Sequence, residues 1–361
     1  MAERAHAASR SGQKERQELE ALYQEAALEI RSRGRRDSSG RPLVELPAAV
    51  RRLRRNAPML AMEALGRLSS TLRDLTGREL IDIAAMIAVV QFLYQHAEAI
   101  RGDGSALDDF GFDPGYTESF LPVFRWIYHR YWRVETTGIE HVPASGRALL
   151  VSNHAGVLPW DGAMIKTALF EEHSRPRHAR ALVASLFFEM PGLSWFLRRT
   201  GQAAGHREDA HRLLERDELV LVFPEGVKGT GKGWSNRYRL RRFGRGGYVQ
   251  SAIRARAPII PVSVVGSEEI YPMLADLGPL ADLFGLPYFP VTPTFPLLGP
   301  LGLVPLPSKW RIQFHRPIRT DLCAPSDAAD ERLVMTLNDN IRDTIQEGLV
   351  ENLKLRRGVF V

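Results

Sequence analysis

Short apolar runs follow one another along the second half of the chain at intervals that suit a layered fold. Four of these runs have the length of buried strands and lie at residues 148–151, 181–185, 219–223 and 259–265. Apolar residues recur at helical spacing between the runs, at residues 163–170, 207–216 and 247–256. This alternation predicts an α/β fold with a mostly parallel central sheet flanked by helices.

Outside this alternation, the pattern predicts a polar arm, further helices and one last strand. Residues 1–45 are polar and Arg-rich and predict a partly disordered arm. A last strand is predicted at residues 310–314, and the closing helix at 327–355 is expected to bury Leu333, Leu337, Ile341 and Ile345. We therefore expect an arm, an N-terminal helical extension, an α/β domain and a C-terminal helix packing on that domain, at residues 1–45, 46–131, 132–320 and 321–361.

Composition narrows the compartment and the kind of partner. The chain has 361 residues and a single cysteine, Cys323, so no intrachain disulfide can form and a reducing compartment is expected. The charged N-terminus lacks the apolar core of a signal peptide, which favours a cytoplasmic protein. The net charge of +6 favours an anionic partner, which leaves a membrane surface, a nucleic acid and a phosphorylated substrate open. No H-E-x-x-H motif occurs, and we expect no metal.

A histidine and a carboxylate share the loop that follows the first predicted strand. Asn153 and His154 come directly after the apolar run, and Asp161 stands where the next helix begins. A carboxylate bound to one ring nitrogen leaves the other nitrogen free to take a proton from a substrate hydroxyl. The pattern indicates a general base, while simple capping of the strand and the helix is the alternative.

Two further motifs occupy loops between predicted strands and helices. A Gly-rich stretch ends at Arg207, whose guanidinium at a helix N-terminus either meets an anion or is merely solvated. The sequence Phe-Pro-Glu-Gly-Val-Lys follows a strand directly, so Glu225 is expected to serve a site, with a plain turn as the alternative. Lys228 offers a second positive charge to a phosphate. Since parallel strands place ligands at their carboxyl ends, His154 and Glu225 are expected at one edge of the sheet.

Two other patterns in the same region suggest different functions. The sequence GVKGTGKG at residues 226–233 follows a strand as the phosphate-binding loop G-x-x-x-x-G-K-[ST] does, but Gly233 has no hydroxyl to hold magnesium. This argues against a nucleotide hydrolase. A basic run interleaved with Tyr238 and Phe243 suits a solvated face, acidic lipid or a nucleic-acid backbone, and it comprises Arg237, Arg239, Arg241, Arg242 and Arg245.

The motifs in their order resemble those of the glycerolipid acyltransferases. The resemblance covers residues 132–320 and is carried by Asn153-His154 with Asp161, the Gly-to-Arg block at 201–207, Phe223-Pro224-Glu225-Gly226 and Ile260-Pro261-Val262. It implies transfer of a fatty acyl group from a thioester, on coenzyme A or acyl carrier protein, to a hydroxyl of a glycerol-based lipid. It implies no cofactor beyond that thioester co-substrate.

The resemblance also implies a role for each motif residue. In that family the histidine is the base and the aspartate orients it, so the implied catalytic residues are His154 and Asp161. The family's arginine and its Glu-bearing loop bind the acceptor phosphate, so the implied substrate-binding residues are Arg207, Glu225, Gly226 and Lys228. The residues that support the motifs are Asn153, Phe223 and Pro224.

The sequence departs from the family pattern at two points. The family usually writes His-x-x-x-x-Asp, whereas six residues separate His154 from Asp161, so the loop must bulge to close the pair. Val227 and Lys228 stand where Thr-Arg is frequent, which keeps the charge but loses bidentate geometry. A lysophospholipid is the first choice of acceptor and an uncharged mono- or diacylglycerol the second. The non-enzymatic alternative is a basic scaffold that binds acidic lipid or nucleic acid, whereas the enzyme is expected to have no nucleic-acid partner.

An apolar segment lies beyond the fourth motif. Residues 271–307 are rich in Leu, Phe, Pro and Gly, and their prolines argue against a spanning helix. Together with the apolar residues near 187–196, they are expected to form part of an acyl-chain tunnel or a shallow membrane contact, with a loop packed over the core as the alternative. A peripheral protein on the cytoplasmic face of a membrane is therefore expected.

Overall fold

The computed structural model describes residues 107–360 except residues 191 and 285. The predicted arm at residues 1–45 and the part of the predicted helical extension at residues 46–106 lie outside the described residues. Within the described ranges, no helix is both long enough and apolar enough to cross a bilayer.

The described elements alternate between helix and strand as the apolar pattern predicts. The helices are α1 (Pro114–Glu118), α2 (Leu121–Trp126), α3 (Trp160–Glu171), α4 (Leu193–Arg199), α5 (Arg207–Glu215), α6 (Val227–Thr230), α7 (Gly247–Arg254), α8 (Gly278–Phe284) and α9 (Glu331–Leu355). The strands are β1 (Glu135–Thr137), β2 (Ala148–Ser152), β3 (Ala179–Val183), β4 (Ala203–Ala204), β5 (Leu219–Val222), β6 (Ile259–Val265), β7 (Ala275–Asp276), β8 (Pro290–Val291) and β9 (Arg311–Phe314). A π-helical turn over Ile127–Tyr131 continues α2 towards β1.

Seven of the described strands form one sheet in the order β1-β9-β6-β2-β5-β3-β4. The pairing is parallel except between β6 and β9, so the predicted mostly parallel sheet is confirmed. Every residue of β2, β5 and β6 is buried, because both faces of a parallel sheet are covered. β7 and β8 form a separate antiparallel ribbon.

A hydrophobic core lies on each face of the sheet. On one face, Met164 and Ile165 of α3 join a cluster in which the rings of Trp132 and Trp310 stack with centroids 4.6 Å apart. On the other face, α5, α7 and α9 bury their apolar sides; the members from these helices include Leu213, Leu214, Val249, Ile253, Ile341 and Ile345. Close packing on both faces leaves the strand ends as the place where polar loops gather.

The strand predicted at residues 181–185 is misplaced by two residues. β3 occupies Ala179–Val183, and a 3₁₀ turn begins at Ser185. Arg180 directly precedes the predicted apolar run, yet it belongs to the strand and its side chain is fully buried. It is accommodated because its guanidinium donates to Asp108 at 2.6 Å and lies over the Phe112 ring at 4.6 Å.

The last helix buries Ile341 and Ile345 as predicted and packs Leu337 against the core, but other residues are the most buried in its first two turns. Val334 and Asn338 are buried there, whereas Leu333 and Leu337 are only partly covered. A spacing of four drifts by about 40° per step around a helix of 3.6 residues per turn, so Leu333 and Leu337 lie towards the edge of the face that Ile341 and Ile345 bury. The helix begins at Glu331 rather than at residue 327, because the Asp330 carboxylate caps it by accepting the backbone N–H groups of its first turn.

Candidate active site

Two neighbouring parallel strands bring the His154 and Glu225 loops to the same edge of the sheet. β2 and β5 pair in register from Ala148 with Leu219 to Val151 with Val222, and both motifs follow immediately. The buried side chain of Asn153, directly after β2, bonds to the backbone of β6. Its amide donates to the Val264 carbonyl at 3.0 Å, and its oxygen accepts the Val264 N–H at 2.8 Å. Asn153 therefore fixes the backbone directly before His154.

The structure closes the His154 and Asp161 pair. Nδ1 of His154 lies 2.7 Å from Oδ2 of Asp161, and the same oxygen accepts the Ala155 N–H at 2.9 Å. The other carboxylate oxygen accepts the N–H of Gly162 at 2.7 Å. Asp161 is buried in the first turn of α3, where its two carboxylate oxygens accept backbone N–H groups. Asp161 thus orients the imidazole as well as holding the loop.

The bulge demanded by the long spacing is built around Gly156. Its φ is 75°, and a Cβ there would lie 2.2 Å from the Ser267 carbonyl oxygen, so only glycine fits this approach of the loop to the backbone after β6. Val157 also has a positive φ, 25°, and its carbonyl accepts a hydrogen bond of 2.6 Å from the Tyr288 hydroxyl. The loop is therefore held by residues far apart in the chain.

Phe223 supports the imidazole face. The rings of His154 and Phe223 stack with centroids 4.2 Å apart and planes 23° apart. The His154 side chain keeps 14% of its surface exposed. With Nδ1 facing Asp161, Nε2 is the ring nitrogen that has no hydrogen-bond partner among the described residues.

Glu225 faces the protein instead of solvent. Its side chain is fully buried; Oε1 accepts the His154 N–H at 3.0 Å, and Oε2 accepts the Arg241 N–H at 2.6 Å. Lys232 Nζ lies 3.3 Å from Oε2. The alternative of a plain turn with a solvated glutamate is therefore wrong. The flanking residues Pro224 and Gly226 shape the turn, since Gly226 has a φ of 56° at the start of α6.

The two predicted cations stand outside this buried cluster. Arg207 is exposed at the start of α5 and donates to the Gln250 side chain at 3.0 Å. Its Nε would lie 2.7 Å from a Cβ on Gly247, so the glycine lets the guanidinium approach α7. Lys228 is exposed on α6. In the described part of the chain, neither cation makes a hydrogen bond or ion pair with His154.

Several residues that hold the site were not predicted from the sequence. Lys232 pairs with Glu225, Tyr288 braces the loop at Val157, and Gly229 packs so closely that a Cβ would lie 2.7 Å from the His154 carbonyl oxygen. The glycine-rich run 226–233 carried a signal for Gly229, although it pointed to a nucleotide loop. Tyr288 lies more than 130 residues from the loop that it contacts, and the sequence carries no local signal for that contact.

Comparison with known proteins bears on the chemistry of this edge. The sequence profile of the family described as Acyltransferase matches residues 133–265. An uncharacterized protein of Mycobacterium tuberculosis is 50% identical over 281 residues, which cover 77% of this chain and 77% of that protein. One from Mycobacterium leprae is 51% identical over 274 residues, covering 76% of this chain and 74% of its own.

More distant relatives carry names that state a function. The human protein called "DGAT1/2-independent enzyme synthesizing storage lipids" is 28% identical over 174 residues, covering 47% of this chain and 52% of its own. Among solved structures, the 1-acyl-sn-glycerophosphate (LPA) acyltransferase PlsC from Thermotoga maritima superposes with a TM-score of 0.46 at 17% identity, over 76% of this chain and 94% of that one. The family match at residues 133–265 contains every motif residue of the site from Asn153 to Lys228, and this part of the chain is a domain of the acyltransferase family.

Proposed function

We propose that this acyltransferase moves a fatty acyl group from an acyl thioester to a hydroxyl of a lysophospholipid, with His154 as general base. The observation that carries the proposal is the 2.7 Å contact between His154 Nδ1 and the buried Asp161 carboxylate. A neutral hydroxyl attacks a thioester slowly unless a base removes its proton as the new bond forms. An imidazole oriented by a carboxylate supplies that base near neutral pH.

The proposed reaction is a direct transfer. Nε2 of His154 takes the acceptor's hydroxyl proton while the oxygen adds to the thioester carbon. The tetrahedral intermediate then expels the thiol sulfur, which receives the proton back from the imidazolium, leaving an ester and a free thiol. Asp161 stabilises the imidazolium throughout. No enzyme nucleophile takes part, and Cys323 lies in a segment that packs against the core on the α9 side of the sheet.

A phosphorylated acceptor is the first candidate because two exposed cations, Arg207 and Lys228, stand on helices that follow the sheet's motif loops. Arg207 opens a nine-residue helix whose N-terminal N–H groups add positive potential. The burial of Glu225 leaves phosphate recognition to these cations. An uncharged mono- or diacylglycerol is the second candidate, since several relatives are named for synthesizing storage lipids.

Replacing Arg207 by alanine is expected to separate the two acceptors. Loss of a charge-assisted contact to phosphate costs about 1.5–3 kcal/mol, so the KM for lysophosphatidate should rise roughly 10- to 100-fold. The KM for monoacylglycerol should stay within twofold. Arg212→Ala is the matched control, because Arg212 is an exposed arginine on the same helix. Equal losses with both acceptors would contradict phosphate recognition by Arg207.

Thiol release by the purified protein tests the proposed function. Long-chain acyl-CoA and acyl carrier protein thioesters are each supplied with lysophosphatidate, monoacylglycerol, diacylglycerol or no acceptor. Thiol release that depends on an acceptor supports acyl transfer. The donor and acceptor that give the fastest release are identified as the preferred pair. Absence of acceptor-dependent release with every pair would instead favour the basic scaffold.

We also propose that the protein meets its lipid acceptor at the cytoplasmic face of a membrane. The segment after β6 carries exposed leucines, among them Leu274 with 62% and Leu297 with 83% of its surface exposed. It joins the basic run, since the Trp234 N–H donates to the Met273 carbonyl at 2.8 Å and Arg237 lies over the Trp234 ring. Apolar side chains beside arginines suit the boundary between acyl chains and anionic headgroups.

Flotation with phosphatidylglycerol vesicles tests the membrane contact. The double variant Leu274→Ser/Leu297→Ser is expected to lose most of its vesicle binding because two apolar side chains no longer enter the acyl region. Leu322→Ser is the control, as Leu322 is an equally exposed leucine on another part of the surface. Equal binding by both variants and the wild type would remove this segment from the proposed contact.

A further inference from the structure

Three charged side chains are buried together behind the His154 loop. Lys232 lies between Glu225 and Glu268, with Nζ 3.3 Å from Oε2 of Glu225 and 3.2 Å from Oε1 of Glu268. The side chains of the three residues are at most 4% exposed. Buried ions are expensive unless they are paired and hydrogen-bonded, so the cluster depends on its one cation.

Both carboxylates hold backbone rather than solvent. Glu225 joins the N–H of His154 to the N–H of Arg241, and Glu268 accepts the Tyr238 N–H at 2.9 Å. Lys232 itself donates to the Arg239 carbonyl at 3.3 Å. The cluster therefore connects the backbone of His154 to the segment at residues 237–241, which has no regular secondary structure of its own.

We propose that Lys232 is a positioning residue for acyl transfer: it holds Glu225 as the acceptor of the His154 N–H and so fixes the imidazole against Asp161 and Phe223. The inference rests on the proposed function, because it assigns His154 the role of the base. Among the described residues, Lys232 makes no hydrogen bond or ion pair with the imidazole, and its effect passes through the 3.0 Å bond from the His154 N–H to Glu225.

The kinetics of Lys232→Met test this role. Without the ammonium, Glu225 is a buried carboxylate without its counter-ion, and the His154 backbone loses its fixed acceptor. A displacement of about 1 Å costs on the order of 100-fold in rate, so kcat should fall about 10- to 100-fold while the KM of donor and acceptor stays within threefold. Lys309→Met is the control: Lys309 also binds a carboxylate, Glu135, and a backbone carbonyl, but lies beside β9. A folded Lys232→Met variant with kcat within threefold of the wild type would overturn the proposal.

A double-variant cycle tests whether Lys232 acts through Glu225. Glu225→Gln removes the same carboxylate charge, so the double variant Glu225→Gln/Lys232→Met should be no slower than Glu225→Gln alone. The double variant also buries one fewer unpaired charge than Lys232→Met. It is therefore measured in place of Lys232→Met if that single variant does not fold. A double variant more than tenfold slower than Glu225→Gln would show an independent role and refute the proposal.

Hydrogen exchange at the His154 amide separates this inference from the proposed function. The amide is expected to exchange at least tenfold faster in the double variant than in the wild type, and to be unchanged in Lys309→Met. Unchanged exchange in the double variant would refute the proposed hold of Lys232 and Glu225 on the His154 backbone, whatever group the enzyme transfers. If the His154 amide exchanges as expected in each protein but the wild type transfers no acyl group from any donor, the result would count against the proposed function alone.

Discussion

Alanine at position 154 is expected to lower kcat for acyl transfer by about 10²- to 10⁴-fold, the contribution of a positioned general base. The KM for the thioester should change little, because in the proposed reaction the side chain acts on the acceptor's proton rather than on the acyl chain. Nδ1 lies against Asp161 and the ring stacks on Phe223, so alanine removes the group that these contacts orient. Initial rates of thiol release with saturating acceptor measure the effect.

Cys323→Ala is the control for direct transfer. Cys323 carries the chain's one thiol and lies away from the His154 loop, in the cluster on the α9 side of the sheet. The alanine variant should keep full activity, since the proposed direct transfer passes no acyl group through an enzyme sulfur. A His154→Ala variant that retains more than a tenth of the wild-type rate, with an unchanged melting temperature, would contradict the assignment of the base.

Asn at position 161 is expected to reduce kcat by a comparable factor of about 10²–10⁴. The carboxylate accepts three hydrogen bonds, from the His154 ring and from the N–H groups of Ala155 and Gly162. An amide has only one acceptor oxygen, so its NH₂ group must face a donor, and it offers no charge to stabilise the imidazolium. The imidazole then loses both its tautomer and its orientation.

Asp330→Asn distinguishes this role from helix capping. Asp330 caps α9 by accepting two backbone N–H groups, and its replacement should lower the melting temperature slightly and leave kcat unchanged. If Asp161 were only a cap, Asp161→Asn would behave in the same way. Parallel measurements of kcat and melting temperature on the two variants decide between the roles.

The sequence predicted the sheet and the placement of the motifs because both follow from local patterns. Buried parallel strands are short apolar runs, and the runs at 148–151, 219–223 and 259–265 lie within one residue of β2, β5 and β6. Parallel strands put the residues after them at one edge, which brought His154 and Glu225 together. The histidine and aspartate pair was predicted from the same loop, although six residues separate its members.

The contacts of Glu225 were not predictable from its motif. Its carboxylate meets the Arg241 N–H and Lys232, which lie on a segment without helical or strand periodicity. Sequence patterns predict elements with a repeat, whereas the path of an irregular segment depends on tertiary contacts. The buried Arg180 in β3 was missed for a related reason, because only the folded neighbours Asp108 and Phe112 make its burial tolerable.

Only the fold shows which side chains of the basic run face the core and which face solvent. Its aromatic residues point inward, with Phe243 in the core and the Tyr238 hydroxyl bonded to Glu269, while its arginines are exposed. The alternation therefore reflects a segment anchored by its aromatic side chains. Its exposed arginines remain available for the anionic surface proposed above.

Mass spectrometry of the lipid product is the most direct test of His154-dependent acyl transfer. Purified protein is incubated with a long-chain acyl-CoA or acyl carrier protein thioester and isotopically labelled lysophosphatidate, beside His154→Ala. We expect labelled phosphatidate that carries the donor's acyl chain in the wild-type reaction and only a trace of it in the variant. Labelled product formed equally by both proteins, or thioester loss in the wild type with free fatty acid and no acylated lipid, would contradict His154-dependent acyl transfer.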